Sequence, residues 1–252
     1  MKLNAAIKLS TEILKSFFNG EFNLTKSYCE SCNKKTLFIK YGSEPRQVRC
    51  LDCKYTLISL AHLKVIKSLQ LNFKFSHVYE LSYHGASFSY LHNNFTNFYY
   101  SEFFGPNNLG EINLTYSVRN EDIQRLTYNN DSFDLISCTE VLEHVPDYYR
   151  GFNEAFRVLK KDGKFVFTVP LFDSPLTEKI AEETISGQIN WIQEPEFHDS
   201  RIWGTKSVPV FWRHSKDQIL KDLLNIGFTS AELVTVKIDG LSPIEFVVKA
   251  IK

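Results

Sequence analysis

Residues 133–170 read FDLISCTEVLEHVPDYYRGFNEAFRVLKKDGKFVFTVP. FDLISC is a strand, introduced by the turn Asn129-Asn130-Asp131, and YYRGFNEAFRVL is a helix. Lys160-Lys161-Asp162-Gly163 closes that helix: glycine suits a left-handed cap and lysines suit the negative helix end. KFVFTVP follows as a second strand, with the continuous apolar character of a strand covered on both faces. Strand, helix, strand within forty residues is the repeating unit of a parallel sheet.

The same alternation extends outward. Upstream, FSHVYELS (75–82) is a strand, SFSYLHNN (87–94) a short helix and NFYYSEF (97–103) a strand. Downstream, SKDQILKDLLNIGF (215–228) is an amphipathic helix, and AELVTVKI (231–238) and IEFVVKAI (244–251) are two closing strands. The expected fold is α/β: a Rossmann-like, doubly wound, mostly parallel sheet of seven strands with an antiparallel edge strand, preceded by a small zinc ribbon.

Ligands of such sheets bind beyond the C-terminal strand ends, where strand order reverses. Acids recur there. Glu80 ends the first strand and Glu102 the second, Glu121-Asp122-Ile123 precedes the approach to the fourth, and Thr139-Glu140 lies at the end of the fourth. The first corner, VYELSYHGAS (78–87), lacks the G-x-G-x-x-G that dinucleotide binding requires.

The run from Glu121 to Pro170 resembles the class I S-adenosylmethionine-dependent methyltransferases, in the group whose fourth strand leads into a Glu-Val-Leu-Glu-His-Val segment, here residues 140–145. The likeness covers residues 78 to about 251. It implies S-adenosylmethionine as cofactor, with Glu80 near its methionine portion and Glu102 accepting both ribose hydroxyls. Asp122 would accept from the adenine amino group with Ile123 flanking the ring, and Thr139 and Glu140 would pass beside the methionine end. The family's three corner glycines fall on Ser82, His84 and Ala86, leaving Gly85 to supply the special backbone angle. S-adenosylmethionine has no phosphate, so its demand for glycine is weaker. His84 is the clearest departure from the pattern and motivates an alternative reading, a non-catalytic binding module.

Four of the five cysteines form two CxxC pairs, Cys29/Cys32 and Cys50/Cys53. Each pair presents two thiolates, and four sulfurs complete a tetrahedron about a structural Zn²⁺. Two disulfides or a redox pair are the competing readings, and disulfides need an oxidising compartment for which no export signal is visible. The intervening KKTLFIKYGSEPRQVRC (34–50) suits two short strands about a turn, and Cys138 suits a packed core thiol. The organisation expected is an amphipathic N-terminal helix over 1–24 (Ile7, Ile13, Leu14, Phe17, Phe18), a ribbon over 25–57, and a methyltransferase domain over 58–252 whose insertion 171–213 acts as lid or acceptor-binding element. TLISLAHLKVIKSLQ (56–70) is helical in spacing.

The chain has 252 residues and no formal net charge, yet residues 33–74 hold nine Lys and Arg against Glu44 and Asp52. A basic ribbon suits an RNA- or protein-modifying enzyme, but composition favours a solvated face. No apolar run approaches the roughly 20 residues of a membrane helix, so a cytoplasmic location is expected. The favoured partner is a small-molecule methyl acceptor of saccharide or natural-product type. Trp191, Trp203 and Trp212 in the insertion offer stacking surfaces. His144 and His198 are the candidate general bases, and His214 reads as a surface residue.

Overall fold

A computed structural model describes residues 2–241 and 244–252. Helix α1 (Lys2–Phe18) leads into a three-stranded antiparallel ribbon of β1 (Asn23–Cys29), β2 (Lys34–Lys40) and β3 (Val48–Cys50). The expectation for Ile7 on α1 falls outside the side chains described. Helix α2 (Leu57–Ser68) follows, capped by Thr56, whose hydroxyl accepts from Ser59 N at 3.2 Å.

The central sheet uses β4 (His77–Glu80), β5 (Asn97–Glu102), β6 (Ile112–Asn113), β7 (Val118–Asn120), β8 (Phe133–Thr139), β9 (Leu159–Thr168), and, at the far edge, β17 (Ser230–Val236) and β18 (Ile244–Ile251). Its eight strands run in the order β17-β18-β9-β8-β4-β5-β7-β6. Strands β9, β8, β4, β5 and β7 are mutually parallel, while β18 and β6 are antiparallel to their neighbours. The chain winds one way from β4 to β7 and the other way from β8, so strand order reverses between β4 and β8. This is the Rossmann-like sheet expected, with the short β6 as an eighth strand.

Strand alternation divides the interior into two cores. Val78, Leu135 and Val166 face the side covered by α2 and by α3 (Ala86–Asn94). Tyr79, Ile136, Phe165 and Phe167 face α4 (Tyr148–Val158) and α5 (Lys216–Ile226). Cys29 and Cys50 are fully buried in the same core as Leu57 and Leu60 of α2, so the ribbon packs into the sheet's own interior. A buried Leu is worth about 1.5–3 kcal/mol against exposure, which makes that junction a real contributor to stability.

Two expectations are corrected. Gly163 does not cap α4. The cap is Leu159, in extended conformation, where β9 already pairs with Phe133 of β8. Residues 160–163 belong to β9, and Asp162 takes the positive φ (62°). Gly163 is needed for space: a Cβ there would meet Lys160 O at 2.8 Å and Phe133 O at 3.1 Å. His214 is not on the surface; it lies fully buried with its ring 4.8 Å from that of Tyr148.

Residues 171–215 carry short strands: β10 (Leu171–Phe172), β11 (Glu178–Lys179), β12 (Ala181–Glu183), β13 (Ile189–Trp191), β14 (Phe197–Ser200), β15 (Gly204–Pro209) and β16 (Trp212–Ser215). Strands β12–β13 and β14–β15 form antiparallel pairs. This cap is stitched to the turn after β8: Phe211 N donates to Glu143 O (2.8 Å) and Trp212 Nε1 to Val145 O (3.0 Å). Among the described residues, no helix is long and apolar enough to cross a membrane.

Candidate active site

The C-terminal strand ends converge on the edge where the order reverses. Glu80 closes β4, opposite Tyr100 of β5 and Ser137 of β8. Its side chain is 1% exposed and accepts from the Ser137 hydroxyl. Burial pushes its carboxyl up to about 8, against the smaller opposing effect of Ser137. Glu102 closes β5, half-buried, and burial raises it to about 7. Two carboxyls raised by burial on adjacent strand tips mark this edge as the candidate site.

Asp122 caps a single 3₁₀ turn just past β7, accepting from Gln124 N (2.9 Å) and Gln124 Nε2 (3.1 Å). Both bonds fall on Oδ1; Oδ2, which meets only Gln124 Nε2 at 3.3 Å, keeps a further lone pair. Ile123 is buried against Gly151 of α4, where a glycine Cβ would meet it at 3.4 Å. Glu121, next in sequence, is committed elsewhere: it pairs with Arg119 at 2.7 Å and is buried.

The corner after β4 is an internally bonded turn. Ser82 Oγ lies 3.0 Å from His84 Nδ1 and accepts from His84 N at 3.3 Å, so the imidazole folds onto its own turn. Gly85 is the N-cap of α3 with φ +108°, the left-handed side that favours glycine. A Cβ at Gly85 would approach only Ser59 Oγ, at 3.9 Å. Thr139, at the tip of β8, bonds His62 Nδ1 at 3.1 Å. Glu140 follows with φ +55°, and burial pushes its carboxyl up to about 8.

Beyond β8, Glu143, His144 and His198 meet. His198 arrives on β14, 54 residues later in sequence, and its Nδ1 lies 3.1 Å from His144 Nε2. His144 Nδ1 is 2.7 Å from Pro209 O, a group that only accepts, so Nδ1 carries the proton and Nε2 is bare. His198 Nδ1 therefore donates to His144, which leaves His198 Nε2 as a free lone pair. Burial, aided by His144 and Arg46, lowers His198 to about 4, so the pair is neutral near pH 7. Both carboxylate oxygens of Glu143 are buried without a hydrogen-bond partner, and Oε1 lies 3.6 Å from His144 Nε2 and 3.8 Å from His198 Nδ1. Such a set can hold a divalent cation through one oxygen and two nitrogens. His198 and Glu143 were each legible as residues, but not their meeting, which depends on how the cap folds back.

The four ribbon cysteines also meet. Cys29 Sγ and Cys53 Sγ are 3.7 Å apart, Cys32 Sγ and Cys50 Sγ 3.8 Å. Sulfurs placed tetrahedrally about 2.3 Å from zinc would have edges of about 3.8 Å, so the four fit that ion and leave no open position. Cys138 is fully buried in the core. The basic ribbon is largely self-paired: Lys34 with Asp52 (2.9 Å), Arg46 with Glu44 (2.5 Å), and Arg49 Nε on Tyr41 Oη (2.9 Å). A cavity of about 650 Å³ opens beside the loop after β5, lined by Phe104, Pro106 and Leu114 among others. Its lining includes none of Glu80, Glu102, Asp122 or His198.

Residues 100–167 match the model of the family described as methyltransferase domain. The match takes in 68 of the chain's 252 residues. That stretch spans Glu102, Asp122 and the Glu140–His144 turn. The chain is similar to an uncharacterized protein of Methanocaldococcus jannaschii, 41% identical over 59 residues (23% of this chain, 26% of that protein). It is also similar to the ubiquinone biosynthesis O-methyltransferase of Coxiella burnetii, 38% over 58 residues (23% and 24%). The chain thus matches only about a quarter of the length of these curated relatives. Among solved structures, the 1,6-didemethyltoxoflavin-N1-methyltransferase of Burkholderia thailandensis is 13% identical, with a TM-score of 0.47 and 76% of each chain covered.

Proposed function

We propose that this protein transfers a methyl group from S-adenosylmethionine to a hydroxyl on a small molecule of saccharide or natural-product type. The observation that carries the reading is the pair of elevated carboxyls, Glu80 and Glu102, on the tips of adjacent parallel strands at the point of strand reversal. Glu80, the Gly85 turn and Thr139 would hold the methionine end. Glu102 would take the ribose hydroxyls, and Asp122 and Ile123 the adenine.

The cofactor, when bound, supplies a sulfonium methyl group that leaves with its electron pair returning to sulfur. The protein's part is to hold the acceptor oxygen in line, about 3 Å from that carbon, and to receive the acceptor's proton. His198 Nε2, with its tautomer set through His144 and Pro209, is the group that receives it. The cap bearing His198 excludes water from the exchange.

A second reading of the same step rests on the bare carboxylate of Glu143: the Glu143, His144 and His198 cluster holds a divalent cation that acidifies the acceptor hydroxyl. At saturating cofactor, activity lost to chelator and restored by Mg²⁺ or Mn²⁺ selects this reading; activity indifferent to chelator, or restored by Zn²⁺ alone, selects the imidazole.

Isothermal titration with S-adenosylhomocysteine tests the whole. Micromolar binding that Glu102→Ala weakens at least tenfold is expected. No binding at millimolar ligand rejects the reading in favour of a cofactor-free module, and His84→Gly gaining affinity would locate the cause in the corner.

A further inference from the structure

One face of the segment entering α2 touches the cofactor corner at successive points. Tyr55, Ser59 and His62 are spaced so that they lie along one stripe. Tyr55 Oη lies 2.8 Å from Ser89 Oγ. Ser59 Oγ accepts from Ala86 N at 3.2 Å, satisfying one of the unpaired donors in the first turn of α3. His62, fully buried, lies 3.0 Å from Val166 O through Nε2. A carbonyl accepts only, so Nε2 bears the proton and Nδ1 accepts. Two hydroxyls meet it there: Ser87 at 2.7 Å from the start of α3, and Thr139 at 3.1 Å from the tip of β8. One imidazole thus spans both walls of the corner, across the strand reversal.

The other side of α2 belongs to the cysteines. Cys50 N donates to Tyr55 O at 3.1 Å, and Arg49 bridges to Thr56, so the second knuckle fixes the start of the helix. Near its end, Lys67 Nζ reaches Glu30 O (2.5 Å) and Asn33 Oδ1 (2.8 Å), in and beside the first knuckle. Both knuckles grip α2, one at each end, and a metal ion would lock the two knuckles to each other.

We propose that α2 is a strut between the four-cysteine metal centre and the cofactor corner, with Ser59 and His62 as positioning residues that make cofactor affinity depend on metal loading. The inference rests on the proposed use of S-adenosylmethionine at this corner. It goes beyond it in assigning the ribbon a role in cofactor binding rather than in acceptor choice. Coupling of this kind is reciprocal: ligand in the corner tightens the metal as much as the metal tightens the ligand.

The test is titration of S-adenosylhomocysteine into zinc-loaded wild type, Ser59→Ala, His62→Ala and His62→Gln, and into wild type stripped by chelator and checked for retained helix by circular dichroism. Loss of one buried hydrogen-bond network is read as roughly tenfold weaker binding. His62→Ala should show that loss, and His62→Gln, whose amide keeps a donor for Val166 O and an acceptor for the two hydroxyls, should recover most of it. Stripped wild type should bind at least tenfold more weakly while folded. Where stripping unfolds the chain, the loaded His62 pair and Ser59→Ala decide. Equal affinity for loaded and stripped protein, or for His62→Ala and wild type, overturns the strut and leaves the proposed function standing. No binding to loaded wild type overturns both.

Discussion

Cofactor affinity should climb with pH between 6.0 and 7.5, and Glu80 sets the size of the climb. Burial disfavours its charge and pushes its carboxyl up to about 8. A bound ligand with a cationic ammonium or sulfonium favours the ionised form, so the complex binds fewer protons than the free protein, and affinity rises until pH passes the free pKa. About 1% of Glu80 is ionised at pH 6.0 and about 24% at pH 7.5, so binding that requires the ion strengthens roughly 25-fold, about 1.9 kcal/mol at 1.36 kcal/mol per pKa unit. Glu102, raised to about 7, steepens the curve in the same direction. The assay is titration calorimetry with S-adenosylhomocysteine at four pH values, in two buffers of different ionisation enthalpy so that proton release is counted directly. Glu80→Gln should bind weakly at pH 7.5 and lose most of the slope. Wild-type affinity that is flat over this range, with no proton release, would refute the assignment of Glu80 as a ligand-facing carboxyl.

Three further outcomes are expected. His198→Ala should lower methyl transfer from labelled cofactor into a responsive metabolite extract by about 10²–10⁴-fold, with affinity for S-adenosylhomocysteine within twofold of wild type; unchanged transfer would remove the imidazole from the chemistry. Purified wild type should carry one zinc per chain by elemental analysis and Cys50→Ser should not, because Cys50 is fully buried and supplies one of four sulfurs. Leu60→Ala should lose about 2–5 kcal/mol in urea unfolding, since Leu60 is fully buried where α2 meets the sheet and ribbon; a loss below about 1 kcal/mol would mean the junction is loosely packed.

The β8-α4-β9 unit was legible because each element carries its own period, and the paired cysteines because their spacing is a chemical requirement. KFVFTVP read as one apolar run since its alternate residues, Val166 and Phe167, serve two different cores. Local pattern misled where distant pairing overrode it. Lys160–Gly163 has the composition of a helix end, yet β9 is already paired to β8 at Leu159 and the glycine is spent on closeness between chains. His214 looked exposed beside a polar helix start, but Tyr148 comes from another element to cover it. Ser59 and His62 gave no signal, because a serine and a histidine on an amphipathic helix are ordinary until the turn after β4 is seen against them. The acids at the strand ends were legible by position, whereas their elevated proton affinity follows from burial that only the assembled edge creates.

In the proposed function, the imidazole that receives the acceptor's proton stands on β14, outside the sheet, while the groups assigned to the methyl donor stand on the strand tips. On that proposal, donor recognition and acceptor chemistry would occupy separately replaceable parts of one chain. Exchange of the β14–β15 hairpin could retarget the enzyme to another nucleophile without disturbing the nucleoside pocket, provided the newcomer again reaches back to His144.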